Sequence, residues 1–368
     1  MTHMLAPYFD RADEVVAEIA NRAADTTDYW TATQALIDDH HPKRLRLNVT
    51  EVIEETPTTK TFRLQRPDGA DLPPFLAGQY VAVESDGTTR AYAMASSPTE
   101  VTRWDLTVRR VPGGQISNRL IDELAPGDEI VTSGPQGTFH HNPLFHGDDV
   151  VFIAGGSGVV PAMSMIREIV ANDIDRRFHL VYGSRDEADV IFRAELAQIT
   201  ATHDNITATH VIGGLITAAA IEDAVGALDG RMVYVCGPQA LYPYALAQLT
   251  QLGHPRHRIR FEANGAPTSP QAQESWPAGV DPNSEVTVTV GDRSFRAPAG
   301  RPLLDSLEDQ GIRPESACRS GECSLCRVRV LEGTVHQAEE SKPRLCDAKF
   351  GYVHSCVAYP VADVTLEV

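Results

Sequence analysis

The chain has 368 residues, 42% hydrophobic and 22% charged, which excludes bulk disorder and predicts two or three domains. Its 32 Lys and Arg against 50 Asp and Glu leave a net charge of −18, a sign that argues against nucleic acid as a partner and suits a basic protein. No apolar run approaches the roughly 20 residues of a membrane span, and the acidic N-terminus lacks a signal-peptide core, so a cytoplasmic, monomeric protein is expected.

Residues 1–44 show apolar spacing of helical period (Val15, Ile19) and close at Pro42, which predicts a helical N-terminal extension. In residues 45–145 the runs RLNVTEVIEET, TKTFRLQRP, GQYVAVESDG and RWDLTVRRV are short, β-branched and punctuated by turn residues. They predict an antiparallel barrel. Residues 146–264 alternate between strand and helix: DVVFIAGG, VPAMSMIREIVAND, FHLVYGS, VIFRAELAQI, RMVYVCG, PQALYPYALAQLTQLG. That order predicts a doubly wound parallel α/β sheet. Residues 265–283 are rich in Pro, Gly, Ser and Gln and read as a semi-flexible linker. Residues 284–368 begin with a hairpin turning at Gly291-Asp292, followed by a short helix (PLLDSLEDQ), a cysteine loop and the strands RVRVLEG and VTLEV. The pairs His40-His41 and His140-His141 are adjacent in sequence, a poor chelating geometry, and read as solvated or capping residues.

Five of the six cysteines lie at or beyond Cys318, and in a reducing compartment such a cluster reads as metal ligation. The spacing Cys318-x4-Cys323-x2-Cys326 with a distant fourth thiol is that of a plant-type [2Fe–2S] centre, in which four thiolates hold two irons. A structural zinc site is the alternative, but it usually shows two C-x2-C pairs, and this loop has one. Small residues (Ser320, Gly321, Ser324) allow backbone N–H groups to turn toward the sulfurs. Residues 284–368 as a whole, down to PLLDSLEDQGIRPESACRSGECSLCRVRVLEG, resemble plant-type ferredoxins, which implies an α+β β-grasp fold. The likeness of FGYVHSCVAYP to the strand carrying the last ferredoxin ligand implies Cys356 as the fourth, leaving Cys346 as a spare thiol.

In FIAGGSGVVP, the glycines Gly155, Gly156 and Gly158 follow a strand and precede a helix with Pro161 near its first turn. Backbone N–H groups and the helix dipole there suit a pyrophosphate. GGSGVVP together with VYVCGP resembles the pyridine-nucleotide domain of the ferredoxin–NADP reductase superfamily, which implies that Cys236, Gly237 and Pro238 border the nicotinamide. Ser184 and Arg185 stand where that family reads the adenosine ribose. Arg suits a 2′-phosphate, so NADPH is favoured over NADH; pairing of Arg185 with Asp186 or Glu187 is the alternative.

RAYAMASSP resembles the superfamily's flavin motif. The resemblance implies that Arg90 meets flavin phosphate, that Tyr92 lies along the ring and ribityl chain between Ala91 and Ala93, and that Ser96 and Ser97 help hold the cofactor. In VRRVPGGQISNRL, Gly113, Gly114, Gln115 and Ser117 form a second anion cradle at a helix start. Glu262 matches a family acid near the reactive edge of the ring. Two positions depart from the family: Ala93 replaces a hydroxyl residue, and Asn264 replaces a common aromatic. Asn264 or a backbone N–H is expected to take over part of the hydrogen bonding at flavin N5. FAD is favoured over FMN.

NAD(P)H gives electrons in pairs and an iron–sulfur cluster carries one, so a flavin between them splits the pair. Plant-type clusters lie near about −400 mV, low enough to feed an oxygen-activating iron centre. The assembly predicts an NAD(P)H-dependent electron-transfer reductase serving a separate oxygenase, hydroxylase or desaturase, with residues 1–44 as a candidate docking element. A redox-sensing flavo-iron–sulfur protein and a free-flavin reductase are the alternatives.

Overall fold

The computed structural model describes residues 14, 16–21, 31–37, 44–262, 265–339 and 341–368. Two units are distinguished, Met1–Lys43 and Arg44–Val368. In the first, residues 16–21 and 31–37 are helical. Val15, His40, His41 and Asn264 lie outside the described residues.

Strict alternation drives the first sheet. In β1 (Leu45–Thr56), Leu45, Leu47 and Val49 point inward while Arg46, Asn48 and Thr50 face outward. β2 (Thr59–Gln65), β3 (Tyr80–Ser85), β4 (Thr88–Ala93), β5 (Trp104–Arg109) and β6 (Glu129–Thr132) complete an antiparallel sheet in the order β4-β3-β6-β1-β2-β5. The Met94–Leu106 bridge and the Ala95 N–H to Asp105 carbonyl bond (2.7 Å) join its two ends, closing the expected barrel. Phe62, Leu64, Val81, Trp104 and Leu106 fill it. Helix α1 (Gln115–Glu123) buries Ile116, Leu120 and Ile121 against that core.

The second sheet is parallel, and its strands are apolar on both faces. β7 (Asp149–Gly155), β8 (Arg177–Ser184), β9 (Ile206–Ile212), β10 (Met232–Cys236) and β11 (Ile259–Glu262) run in the order β11-β10-β7-β8-β9. Val150, Phe152 and Ala154 of β7 enter one core with α2 (Val159–Ala171) and α3 (Arg193–Thr202). Val151 and Ile153 enter the other with α4 (Ala218–Val225) and α5 (Leu241–Gln251). A strand buried on both faces reads as a continuous apolar run, as VVFIA does. The order reverses between β7 and β10, the switch point where such sheets bind ligands. Ala77, Ala95 and Phe139 of the barrel share the first of these cores, so barrel and sheet are packed as one body.

The segment joining them carries a buried histidine. His146 Nδ1 accepts the Asn142 N–H (2.9 Å), so the Tyr234 hydroxyl must donate to the same nitrogen. Protonating Nδ1 breaks both bonds. Burial, followed by the nearby Arg260, pushes the imidazole down from 6.5 to about 4. The unfolded chain then takes up this proton first, so stability is full above about pH 6.5 and falls as pH drops toward 4. We expect denaturation midpoints of the wild type to fall across that window and those of His146→Phe to change less. Parallel pH profiles would refute the assignment.

The third sheet is mixed. β12 (Glu285–Val290), β13 (Arg293–Pro298), β14 (Arg327–Glu332), β16 (Tyr352–His354) and β18 (Val364–Glu367) run in the order β13-β12-β18-β14-β16, with helix α6 (Leu303–Asp309) packed on one face. β15 (Val335–Gln337) pairs with β17 (Ala358–Pro360), and a short helix α7 (Leu345–Lys349) precedes β16. The β12–β13 turn falls at Gly291-Asp292, with Gly291 left-handed (φ 59°). Residues 265–283, read from composition as a semi-flexible linker, make specific contacts with the ferredoxin domain. Tyr359 Oη donates to the Pro267 carbonyl (2.8 Å), Gln273 Oε1 bonds His336, Ser275 donates to Glu339, and the Trp276 ring meets His336 at 5.1 Å. Trp276 and Gln273 give the segment a reason to dock that its prolines and glycines conceal.

Candidate functional site

One cavity of about 980 Å3 lies where barrel, parallel sheet and cysteine loop meet. Arg90, Ala91, Tyr92 and Ala93 reach it from β4, and Gly113, Gly114, Gln115 and Ser117 from the start of α1. Gly114 at the N-cap offers no side-chain cap, so the first N–H groups of α1 keep their donors for another acceptor. A Cβ on Gly114 would come within 2.6 Å of Ser117 Oγ and 3.1 Å of the Val111 carbonyl, so the cradle is open only because residue 114 lacks one. Arg90 donates to the Thr89 carbonyl (2.8 Å). Desolvation in the cavity, then Arg319, holds its guanidinium below the ordinary value. Burial raises the Tyr92 phenol. A cavity of this size with a convergent cation and helix start fits a flavin nucleotide. Ser96 does not line the cavity: its Oγ accepts the Asp105 N–H (3.2 Å) and its carbonyl accepts Ser164 Oγ (2.7 Å). Ser97 pairs with Thr99 (2.8 Å).

The parallel sheet sends the ends of β10 and β11 into the same space. Cys236 and Glu262 are strand partners there, and both line the cavity with Pro161. Gly155, Gly156 and Gly158 form a tight turn into α2. A Cβ on Gly155 would stand 3.1 Å from Pro238, and one on Gly158 2.0 Å from the Cys236 carbonyl. The glycine turn and the Cys236-Gly237-Pro238 loop are thus in contact. Glu262 is buried, and its Oε2 has no hydrogen-bond partner among the described residues. Burial, then the Glu322 carboxylate, raises its carboxyl well above the ordinary range. Burial of this kind favours the neutral acid, and the group sits at the meeting of the three domains. Ser184 is buried at the end of β8. Arg185 is largely exposed and pairs with Asp189 (3.2 Å) rather than Asp186 or Glu187, because Asp189 sits one helical turn on and is already anchored by Arg109 (2.5 Å). His140 and His141 bond the His141 and Gly147 carbonyls.

The cysteine loop brings four thiols together. Cys318 lies close enough to Cys323 and Cys356 to interact with both, as Cys356 does with Cys326, which groups the four as two neighbouring pairs. The accepting thiols Cys318 and Cys326 are driven down by their neighbours' bonds, and the donating Cys323 and Cys356 are driven up. The Ser320 and Cys323 N–H groups both point at Cys318 Sγ (3.4 Å each). Arg319, Gly321 and Ser324 are left-handed (φ 54°, 77°, 61°), which turns those donors inward. Two thiol pairs with inward N–H groups fit a two-iron cluster. Cys346 stands apart: it is exposed and touches Asp347 instead.

Three further residues had no motif to mark them. Arg319, inside the cysteine loop, donates to Thr88 (2.7 Å) of β4 while paired with Asp305 (3.1 Å) and Glu308. With the Thr89 hydroxyl on the Ser316 carbonyl (3.0 Å) and Glu322 accepting from Thr138 (2.6 Å), it clasps the loop to the barrel. Arg109 lines the cavity and reaches the parallel sheet through Asp189. Tyr80 is buried beside the loop, and burial followed by Cys318 pushes its phenol up. Their roles come from domain docking, which spacing along the chain does not encode.

Comparison with known proteins agrees with this geometry. Three family models match in chain order: an oxidoreductase FAD-binding domain (residues 46–141), an oxidoreductase NAD-binding domain (152–246) and a 2Fe-2S iron-sulfur cluster binding domain (286–361). The chain is 32% identical to the ferredoxin reductase component of 3-ketosteroid-9-alpha-monooxygenase from Mycolicibacterium smegmatis, covering 87% of this chain and 95% of that protein. It is 29% identical to the glycine betaine monooxygenase reductase subunit of Pseudomonas aeruginosa, covering 86% and 93%. It is similar in structure to phthalate dioxygenase reductase (TM-score 0.64, 28% identity, 88% of this chain and 98% of that one). No helix among the described residues is long and apolar enough to cross a membrane. With its FAD-, NAD- and [2Fe–2S]-binding domains in this order, the chain belongs to the phthalate dioxygenase reductase-type oxygenase reductases, NAD(P)H oxidoreductases that pass electrons to a separate oxygenase.

Proposed function

We propose that this protein takes hydride from NADPH at the Cys236–Glu262 edge of the cavity and delivers electrons singly at Cys318, Cys323, Cys326 and Cys356. The observation that carries the reading is that Arg90 and Tyr92, Cys236 and Glu262, and Cys318 and Cys356 all line one cavity. When bound, FAD supplies the exchange between paired and single electrons. Arg90 and the start of α1 would hold its phosphates, and Tyr92 would pack along the ring. The Gly155–Gly158 turn receives the nucleotide pyrophosphate, with Gly237 and Pro238 fixing the nicotinamide end. Glu262, whose burial favours the neutral acid, offers a hydrogen-bond donor beside the reacting atoms. Ser184 and the exposed Arg185 side chain support NADPH over NADH. Acidic composition supports a monomeric, cytoplasmic protein that avoids nucleic acid.

The test is an anaerobic titration of purified protein with NADPH and, separately, NADH, followed by absorption and electron paramagnetic resonance, with the acid-released flavin identified by chromatography. FAD release, bleaching of both chromophores and tighter use of NADPH are expected. Zinc in place of iron and sulfide, or a colourless protein after reconstitution, would overturn the reading.

A further inference from the structure

The outer face of the ferredoxin domain carries a group of exposed cations on a chain whose net charge is −18. Leu325 and Arg327 flank Cys326, and β14 pairs with β16, the strand leading into Cys356. On the outward side of these strands lies α7, held by Asp347 on Arg327 (3.0 Å) and by Arg329 Nε on the Phe350 carbonyl (3.2 Å). This arrangement leaves large apolar side chains in solvent, with Leu345 92% and Phe350 63% exposed. Exposed cations surround them. Arg327 pairs with buried Asp347 and Arg329 with Glu367, while Arg344 and Lys349 have no ion pair among the described residues. Four cations therefore meet two carboxylates on a face belonging to a chain of net charge −18.

We propose that this face is where the acceptor protein docks, and that the acceptor presents acidic side chains around an apolar centre. The proposal rests on the relay described above and adds the partner's chemistry to it. Two exposed apolar anchors inside a cationic rim have the make-up of a binding patch, with an apolar centre and a charged border. The charge is complementary in a directional way. The net charge of this molecule repels an acidic acceptor while the cations beside Cys326 attract it, so charge favours the orientation that places it next to the cluster thiols. Overall composition pointed to a basic partner; the local sign at the electron outlet points to the opposite.

The holoenzyme tests this with two protein acceptors of opposite charge, soluble cytochrome b5 (acidic) and cytochrome c (basic), and with ferricyanide as a small acceptor. In Arg344→Glu/Lys349→Glu, KM for cytochrome b5 should rise about tenfold and lose its salt dependence. Ferricyanide turnover and the cluster's resonance signal should be unchanged. Leu345→Ser, at a site too exposed to threaten folding, should raise the same KM while leaving its salt dependence intact. Unchanged cytochrome b5 kinetics in both variants would overturn the proposal, as would an equal rise in KM for cytochrome c. Light scattering adds a further outcome: a wild-type dimer that becomes monomeric in the variants without kinetic change would mean the face joins two copies, also overturning it. If the wild type fails to reduce its cluster with NAD(P)H, the relay itself fails. A normal relay with indifferent variants rejects only the docking surface.

Discussion

Replacing Cys323 with Ser is expected to abolish the cluster and lower reduction of protein acceptors by more than about 100-fold, beyond the cost of losing an outer-shell partner. Cys323 bonds Cys318 and takes the Leu325 N–H, so it completes one of the two thiol pairs. A hydroxyl there is a poor iron ligand at neutral pH. The proposed flavin site on Arg90, Tyr92 and the α1 start does not include Cys323, so ferricyanide reduction by NADPH should persist. Cys346→Ser is the control, and it should keep both chromophores because its thiol is exposed beside Asp347. Absorption spectra and the two assays check this in one preparation. Loss of the cluster in Cys346→Ser, or its retention in Cys323→Ser, would reverse the assignment of the tail thiols.

Gly158→Ala should cripple hydride transfer while sparing the iron centre. The added methyl would lie 2.0 Å from the Cys236 carbonyl oxygen, 2.3 Å from its carbon and 2.7 Å from the Gly237 nitrogen. All three are backbone atoms, so relief requires the glycine turn and the end of β10 to part. Overpacking of this kind costs about 1–3 kcal/mol. A displacement near 1 Å at a reacting centre costs about 10²-fold in rate. Stopped-flow reduction of the flavin by NADPH should slow by that order, with flavin content unchanged and dithionite still reducing both centres. Gly156→Ala is a useful contrast: its methyl would meet only the end of the Arg109 side chain (2.6 Å), although φ of 53° adds strain. Equal hydride rates in Gly158→Ala and wild type would show that this contact does not position the nucleotide.

Much of the architecture was legible because local and global demands agree. VVFIA is continuous where both faces are buried, β1 alternates where one face is, and the cysteine spacing is set by the cluster it wraps. Two of the elements missed lie where the surroundings demand little. β9 is an edge strand with mostly exposed or half-exposed side chains (ITATHVI), and α4 is eight residues of mainly Ala. Helix α5 starts at Leu241, three residues after the expected Pro238, because the Cys236-Gly237-Pro238 loop is held against the glycine turn. Sequence resemblance singled out Cys356 over Cys346, and burial agrees with it. Arg319, Arg109 and Tyr80 were illegible since each acts across a domain boundary. Ser96 resembled a cofactor contact, yet its hydroxyl accepts from Asp105 within the barrel and its carbonyl accepts from Ser164 of α2.

The strap of residues 265–283 has a kinetic consequence. Trp276, Gln273 and Ser275 bind it to the ferredoxin domain, while Arg319 and Glu322 pin the cysteine loop to the barrel. A tail fastened at both ends does not commute between donor and acceptor. Cys318 and Cys356 stay beside the cavity on one side while the exposed Leu325 and Arg327 flank buried Cys326 on the other, so an acceptor can remain seated through successive deliveries. Throughput then does not wait on travel of the ferredoxin domain.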